Sequence, residues 1–119
     1  MMWTEGRRKA FITSVLRGGF RRYPAKYEAL QEACVGVQLN PKTGRMAKHY
    51  YCTMCKIAYP AKDVQVDHKS PVVPLTGFTT WDSFINRLYC LLDNLQVLCK
   101  ECHKLKSSGE RKKRKKNPQ

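Results

Sequence analysis

The chain has 119 residues, enough for one domain, with 23 Lys and Arg residues against 9 acidic ones and a net charge of +14. No apolar run approaches the roughly 18 residues that span a bilayer, which excludes a transmembrane helix and a membrane partner. The N-terminus has no signal-peptide pattern, so we expect a cytoplasmic protein. The basic excess favours a nucleic-acid partner, with a merely solubilising surface as the alternative.

Residues 1–45 are predicted to form a basic extension with two short helices. The first apolar stripe consists of Phe11, Ile12, Val15 and Leu16. Gly18 and Gly19 are expected to end this helix in the left-handed conformation. Pro24 suits the first turn of the second helix. The apolar positions of that helix are Tyr27, Leu30, Ala33 and Cys34. Asn40–Gly44 is interpreted as a turn-rich link.

Residues 46–110 are predicted to form the folded core. Val64–His68 alternates like a strand, and Thr80 can cap a helix from Trp81 to about Leu92. Leu95–Leu98 is typical of a second strand, and a helix is expected from Lys100 onward. Residues 111–119 are interpreted as a basic tail, and the chain beyond Lys112 is expected to be disordered without a partner.

Four of the six cysteines form two CxxC pairs. They are Cys52 with Cys55 and Cys99 with Cys102. Two such turns complete a tetrahedral site, so we predict structural Zn²⁺ rather than disulfides. The pairs lie further apart than the roughly 15–20 residues of a simple zinc ribbon, so the insert must be a structural unit held at both ends. The alternative is two unrelated redox or core pairs. Cys34 and Cys90 are interpreted as buried small apolar residues.

Four further side chains stand in a suggestive order around the second CxxC pair. Asp67 and His68 end one predicted strand, Asn94 opens the next, and His103 follows the last cysteine on the ensuing helix. Successive helical residues point about 100° apart, so Cys102 and His103 are expected to face different groups. Asp67 and His68 project to opposite strand faces, so both could serve one site only with a twist or bulge. His49 has no partner at motif spacing and is interpreted as incidental.

The stretches Val66–Val72 and Asp93–His103, with the framing CxxC pairs, resemble the HNH (ββα-metal) endonucleases, in particular their zinc-containing phage and homing-type branch. The resemblance implies an α+β fold, a small ββα-metal domain stapled by a zinc site of four cysteines and preceded by the two helices. It implies that His68 is the general base, that Asn94 orients it, and that Asp67 and His103 hold one catalytic Mg²⁺ or Mn²⁺. The segment between His68 and Asn94 is long for the minimal motif.

The expected activity is hydrolysis of DNA phosphodiester bonds to 5′-phosphate and 3′-hydroxyl ends, in the host cytoplasm if the chain is bacteriophage-encoded. Both a monomer and a homodimer fit the sequence: a single active site cuts one strand per visit, so double-strand cleavage would require a homodimer or two sequential events. Expected nucleic-acid-binding residues are Arg7, Arg8, Arg21, Arg22, Lys104, Lys106, Arg111 and Lys112. For the N-terminal arginines a solvated helix face is an equal alternative, and no helix-turn-helix is convincing.

Two other functions fit part of the pattern. A non-catalytic zinc module that binds nucleic acid explains the charge and the cysteines, but it leaves Asp67, His68, Asn94 and His103 without a reason. A hydrolase that uses the cysteine-bound zinc itself is disfavoured, because four thiolates leave that ion no open position. The target sequence and the biological role, whether homing, restriction or DNA processing, are not encoded in these motifs.

Overall fold

The structure is a computed structural model that describes residues 3–116. Those residues form four helices, α1 (Glu5–Gly19), α2 (Pro24–Ala33), α3 (Trp81–Leu88) and α4 (Lys100–Lys116). They also form five strands, β1 (Cys34–Asn40), β2 (Arg45–Tyr51), β3 (Ala58–Pro60), β4 (Val64–His68) and β5 (Leu95–Cys99). The strands make two antiparallel sheets, β1-β2-β3 and β4-β5. The chain is therefore α+β, as the sequence predicted.

The first helix ends differently from the prediction. Thr4 caps its start, with Oγ1 accepting a hydrogen bond from the Arg7 amide at 3.1 Å. At the other end Gly19 keeps right-handed angles (φ −65°), and the chain continues into a 3-10 turn, Phe20–Arg22. The expected left-handed glycine is wrong. A Cβ on Gly19 would lie 2.5 Å from the Tyr89 hydroxyl, so this glycine allows close packing instead.

The second helix begins at Pro24, as predicted, but its buried residue is not one of the predicted apolar positions. Ala29 is its buried side chain, in a cluster with Cys90 and Leu95, whereas Tyr27 is exposed. Cys34 does not extend the helical stripe, because it begins strand β1. The helix therefore faces the β4-β5 sheet through its smallest side chain, which lets the two backbones approach closely.

The segment interpreted as a link is the tip of a β-hairpin. Strands β1 and β2 pair from Asn40 opposite Arg45, and the Asn40 carbonyl accepts hydrogen bonds from Thr43 and Gly44. Gly44 has a φ of 72°, which suits glycine in a tight turn. The expected boundary at residue 45 falls within this hairpin. Strand β1 lies at the sheet edge, and it exposes the apolar side chains Val35, Val37 and Leu39.

The second sheet confirms the predicted strand, strand, helix order. In β4-β5, Asp67 pairs with Gln96 and His68 pairs with Leu95. Helix α4 follows β5 without a break and continues to Lys116, so it includes residues 113–116 of the expected tail. There the Arg114 guanidinium donates to the Val73 carbonyl at 2.6 Å, and this contact ties the helix to the body of the domain. Residues 117–119 lie outside the described residues.

Helix α3 has the predicted cap and an earlier end. Thr80 Oγ1 accepts from the Ser83 amide at 3.1 Å, but the helix stops at Leu88 rather than near Leu92. Beyond it Cys90 turns into the cluster with Ala29, and its carbonyl accepts a 2.8 Å hydrogen bond from the Tyr23 hydroxyl. Tertiary contacts of Cys90 therefore replace the final helical turn. Among residues 3–116, no helix is long and apolar enough to cross a membrane.

Candidate active site and metal centre

The four cysteines of the CxxC pairs converge. The sulfurs of Cys52, Cys55, Cys99 and Cys102 all lie within 4.8 Å of one another. The first pair lies on the turn between β2 and β3, and the second joins the end of β5 to the first turn of α4. Cys34 and Cys90 lie outside this cluster, Cys90 buried as predicted and Cys34 half-buried. The sequence prediction that these four cysteines form one cluster is confirmed.

Backbone hydrogen bonds fix the shape of the first CxxC turn. The Lys56 amide donates to the Cys52 carbonyl at 3.0 Å, with Lys56 in the left-handed region at a φ of 64°. The Thr53 amide donates to the Val97 carbonyl at 2.9 Å, which joins this turn to strand β5. In the second pair the Cys102 amide points at the Cys99 sulfur at 3.5 Å. The turn geometry therefore holds the sulfurs together and links the two sheets.

The electrostatics of the cluster favour a cation. Burial disfavours a Cys52 thiolate, but backbone hydrogen bonds at Cys55, Cys99 and Met54 outweigh it and lower the pKa of Cys52 to about 6. Burial, together with hydrogen bonds to the neighbouring cysteines, raises the pKa of Cys102 to about 12. One thiolate is thus favoured and the next is opposed, first by burial and last by the charge of the Cys52 thiolate. The cluster could bind Zn²⁺, whose charge permits all four to ionise.

Asp67 and His103 face each other across β4 and α4. The distance from His103 Nε2 to Asp67 Oδ1 is 3.6 Å, and the Asp67 side chain is 14% exposed. Gln96, opposite Asp67 in the β4-β5 ladder, donates to Oδ2 at 3.4 Å. Cys102 is turned into the sulfur cluster while His103 faces Asp67, as the helical periodicity predicted.

Lys106 completes this cluster, and it was predicted only as a DNA contact. Its ammonium lies 3.0 Å from Asp67 Oδ2 and 2.9 Å from Glu110 Oε2, with 17% of the side chain exposed. Burial opposes the charged form of Lys106, but hydrogen bonds to Glu110 and Asp67 outweigh it, so the pKa is raised. Positions 103, 106 and 110 share one helix face, a periodicity that could have revealed the contact.

His68 lies on the other side of strand β4. Its Nε2 is 2.8 Å from the Leu88 carbonyl. A carbonyl can only accept, so Nε2 carries the proton in the neutral ring and Nδ1 keeps the lone pair. The ring packs on Phe20 with centroids 4.9 Å apart. The structure thus fixes the orientation and the tautomer of His68 through α3 and the turn after α1.

Asn94 holds the chain that follows His68. Its carbonyl accepts from the Lys69 amide at 2.7 Å, and its side-chain Oδ1 accepts from the Ser70 amide at 3.1 Å. Four predicted site residues therefore form two pairs. Asp67 contacts His103 directly, and Asn94 reaches His68 through the backbone of the next two residues. No hydrogen bond within residues 3–116 joins one pair to the other.

Two arginines that the sequence did not single out organise the loop after His68. Arg87 on α3 donates through Nη2 to the Pro71 carbonyl at 2.6 Å and through Nε to the Val72 carbonyl at 3.1 Å. Arg114 on α4 donates to Val73 and Pro74. Among the many basic residues of the sequence, nothing distinguished these two arginines as structural. Tyr59 was also missed, and its hydroxyl lies 3.6 Å from the Cys55 sulfur.

Most of the expected DNA contacts lie on the surface. The exposed ones are Arg7, Arg8, Arg21, Arg22, Lys104, Arg111 and Lys112. Those on α1 make only local contacts, with Arg8 3.9 Å from Glu5 and Arg7 over the Trp3 ring at 5.2 Å. Lys106 differs from all of them, because two carboxylates already neutralise it.

Comparisons with family models, with curated proteins and with solved structures found no match for this chain.

Proposed function

We propose that this chain is a metal-dependent DNA endonuclease of the HNH type. The observation that carries the proposal is the approach of Asp67 and His103, one from the strand and one from the helix, to 3.6 Å. An oxygen and a nitrogen at that separation can share one ion, since each lies about 2.0–2.2 Å from a small divalent metal. The motif resemblance gives the same two residues that role.

His68 supplies the general base in this proposal. Strand β4 pairs with β5 without a bulge, so the twist of the strand must bring the His68 ring and the Asp67 carboxylate to one phosphate. Nε2 donates to the Leu88 carbonyl, so Nδ1 offers its lone pair to an attacking water. A ring held by both a hydrogen bond and the Phe20 contact loses little entropy when it takes up the proton. Asn94 acts as a positioning residue, because its two hydrogen bonds hold Lys69 and Ser70 and with them the end of β4.

Asp67 and His103 would hold Mg²⁺ or Mn²⁺. The bound ion supplies positive charge that stabilises the phosphate and the leaving oxygen. Lys106 can stay 3.0 Å from Asp67 Oδ2 while the ion takes Oδ1, and its positive charge then weakens the affinity of Asp67 for the ion. The exposed lysines and arginines of α4 would contact the DNA backbone, which gives affinity without sequence selection. The structural zinc takes no part in the chemistry.

A second candidate is a non-catalytic zinc module that binds nucleic acid. The specific observation in its favour is the same ion pair, since an Asp67 carboxylate neutralised by Lys106 needs no metal. The two functions differ in one measurable respect. A binding module retains DNA without cutting it, whereas the nuclease requires an intact His68.

The deciding experiment is cleavage of supercoiled plasmid with Mg²⁺ or Mn²⁺ by the wild-type chain and by His68→Gln. Glutamine keeps a nitrogen that can donate to the Leu88 carbonyl but has no basic lone pair. We expect cutting to fall by at least about a hundredfold with zinc content unchanged. End-labelling should give 5′-phosphate and 3′-hydroxyl ends. Equal cutting by the variant, or DNA binding without cutting under every metal, would overturn the proposal.

A further inference from the structure

A cavity of about 450 Å³ lies beside the sulfur cluster, between the β1-β2 hairpin and the start of α4. Its walls include the rings of Pro41, Tyr59 and Pro60, and Cys99 lies at its base. Nothing in the proposed cleavage chemistry uses this cavity. His49, which the sequence analysis treated as incidental, lines it and is only 4% exposed.

The ring of His49 has one nitrogen occupied and one open. Nδ1 lies 2.9 Å from the Ala47 carbonyl, so it carries the proton and Nε2 keeps a lone pair. Within residues 3–116 no protein group bonds to Nε2. Every fully enclosed side-chain nitrogen or oxygen in residues 3–116 has a hydrogen-bond partner. Because Nε2 has none, it is not fully enclosed, and it is open to the cavity that His49 lines. Nε2 can therefore accept a hydrogen bond from a molecule in the cavity.

Asn40 presents the complementary group. It is 5% exposed, and its Oδ1 accepts from the Lys42 amide at 3.0 Å, which identifies the other amide atom as the nitrogen. No acceptor among the described residues bonds to that Nδ2. One cavity thus contains a fixed donor and a fixed acceptor on two buried side chains. Asp63 and Glu101, which also line it, add further acceptors.

Charge at the rim is mostly positive. Lys42, Lys100 and Lys104 line the cavity and are exposed, two of them on the first turns of α4, against the exposed Glu101. Lys104 directly follows His103, so the cavity and the Asp67–His103 pair lie on neighbouring faces of one helix. Any polyanion bound at one is close to the other.

We propose that this cavity binds one unpaired, amino-bearing nucleobase of the substrate strand, with its phosphate at the lysine rim. His49 Nε2 accepts from the base, Asn40 Nδ2 donates to it, and the proline and tyrosine rings cover its faces. The choice of a nucleobase rests on the proposed DNA substrate. Such a contact would favour cutting beside unpaired or readily opened DNA.

The test is binding of deoxycytidine monophosphate to the zinc-loaded full chain without Mg²⁺ or Mn²⁺, monitored through the NMR shifts of the His49 ring. Thymidine monophosphate is the matched ligand, because it has a carbonyl where cytosine has the amino group. We expect deoxycytidine monophosphate to bind more tightly. Equal shifts from both, or equal shifts from inorganic phosphate alone, would overturn the proposal.

His49→Asn keeps a side-chain donor near the Ala47 carbonyl and removes Nε2. We expect it to weaken deoxycytidine monophosphate about tenfold. Lys104→Gln, on the exposed rim, should weaken it about threefold even if the first variant folds poorly. Lys62→Gln, an exposed lysine outside the cavity, is the control. Unchanged affinity in Lys104→Gln and in a folded His49→Asn refutes the site.

The plasmid assay separates this inference from the proposed function. Plasmid cutting that is intact in the wild-type chain, together with no nucleotide binding, leaves the nuclease and removes the base site. If neither the wild-type chain nor any variant cuts DNA, but His68→Gln still binds the nucleotide, the base-site proposal stands and the nuclease proposal fails.

Discussion

The Lys106 ammonium lies 3.0 Å from Oδ2 of Asp67, the carboxylate that the proposed mechanism assigns to a divalent metal. The same ammonium lies 2.9 Å from Glu110, so two carboxylates hold it in place. Lys106 lies at Oδ2 and the proposed ion would take Oδ1, so the two cations would compete for the charge of one carboxylate. Under the proposed mechanism, Lys106 would set how much divalent metal is needed without being a ligand itself.

Lys106→Met should lower the Mn²⁺ concentration that gives half-maximal cleavage. Methionine preserves the apolar stem and removes the competing charge. We expect metal binding to become about 1 kcal/mol more favourable, which lowers the required Mn²⁺ concentration about fivefold. The measurement is a Mn²⁺ titration of plasmid cutting. Lys62→Met, at an exposed lysine with no ion pair among the described contacts, is the matched control. A raised Mn²⁺ requirement would mean that Lys106 assists the site instead of competing for it.

Alkaline pH should remove the stabilisation that Lys106 provides. Its pKa is raised in the folded state above the ordinary value of 10.5. Folding therefore favours the protonated form, so the contribution is complete below 10.5 and is lost as pH rises through the higher folded value. Urea unfolding of the wild-type chain and Lys106→Met should differ at about pH 9 and converge at higher pH. A difference that grows with pH would contradict the ion pair.

Cys102→Ser should release zinc and destabilise the junction between the sheets. Loss of one ligand removes metal binding that is coupled to folding, and we expect the Tm to fall by at least about 10 °C. The measurements are zinc content and thermal unfolding. Cys34→Ser, at a half-buried cysteine outside the cluster, should retain the metal. Full zinc content in Cys102→Ser would overturn the four-sulfur site.

Asn94→Ala should loosen the chain after His68. It removes the 3.1 Å hydrogen bond from the Ser70 amide, about 1 kcal/mol, whereas Asn94→Asp keeps an acceptor oxygen there. Hydrogen exchange at Ser70 should be faster in the alanine variant only, with kcat for plasmid cutting reduced and KM little changed. Unaltered exchange at Ser70 in Asn94→Ala would remove the positioning role.

Double substitution of Arg111 and Lys112 by Gln should flatten the salt dependence of DNA binding. Each lost phosphate contact reduces the slope of log K against log salt by about 0.9. Both residues are exposed on α4, so the fold should be unaffected. Arg114→Gln is the contrasting variant, because its guanidinium binds backbone carbonyls and its loss should loosen the 71–74 loop. An unchanged slope in the double variant would show that these residues do not contact DNA.

The sequence predicted the elements whose signals are short-range. Strand β4, the Thr80 cap, strand β5 and the start of α4 each follow from a few adjacent residues. It also predicted the sulfur cluster, because two CxxC turns in one chain are typical of a metal site. It missed strands β1 and β2, although the apolar residues Val35, Val37 and Leu39 recur at every second position as in a strand. Hydrogen bonds between backbones, not apolar burial, hold that hairpin.

The sequence identified which residues belong to the candidate site, but it did not identify the groups that they contact. The order of Asp67, His68, Asn94 and His103 gave the participants. Their partners come from distant positions: Lys106 from the same helix, Arg114 from the region expected to be disordered, and the Leu88 carbonyl from α3. A backbone carbonyl has no residue-type signature, so no sequence pattern could identify the acceptor that fixes the His68 tautomer.

Strand β1 has a consequence for handling the protein in solution. Its outer edge is an open hydrogen-bonding template with Val35, Val37 and Leu39 exposed, the arrangement through which β proteins self-associate. The net charge of +14 keeps molecules apart at low ionic strength. Salt shortens the range of that repulsion to about 10 Å at 0.1 M and about 3 Å at 1 M. Concentrated stocks in high salt, the condition chosen to strip nucleic acid from a basic protein, should therefore aggregate first.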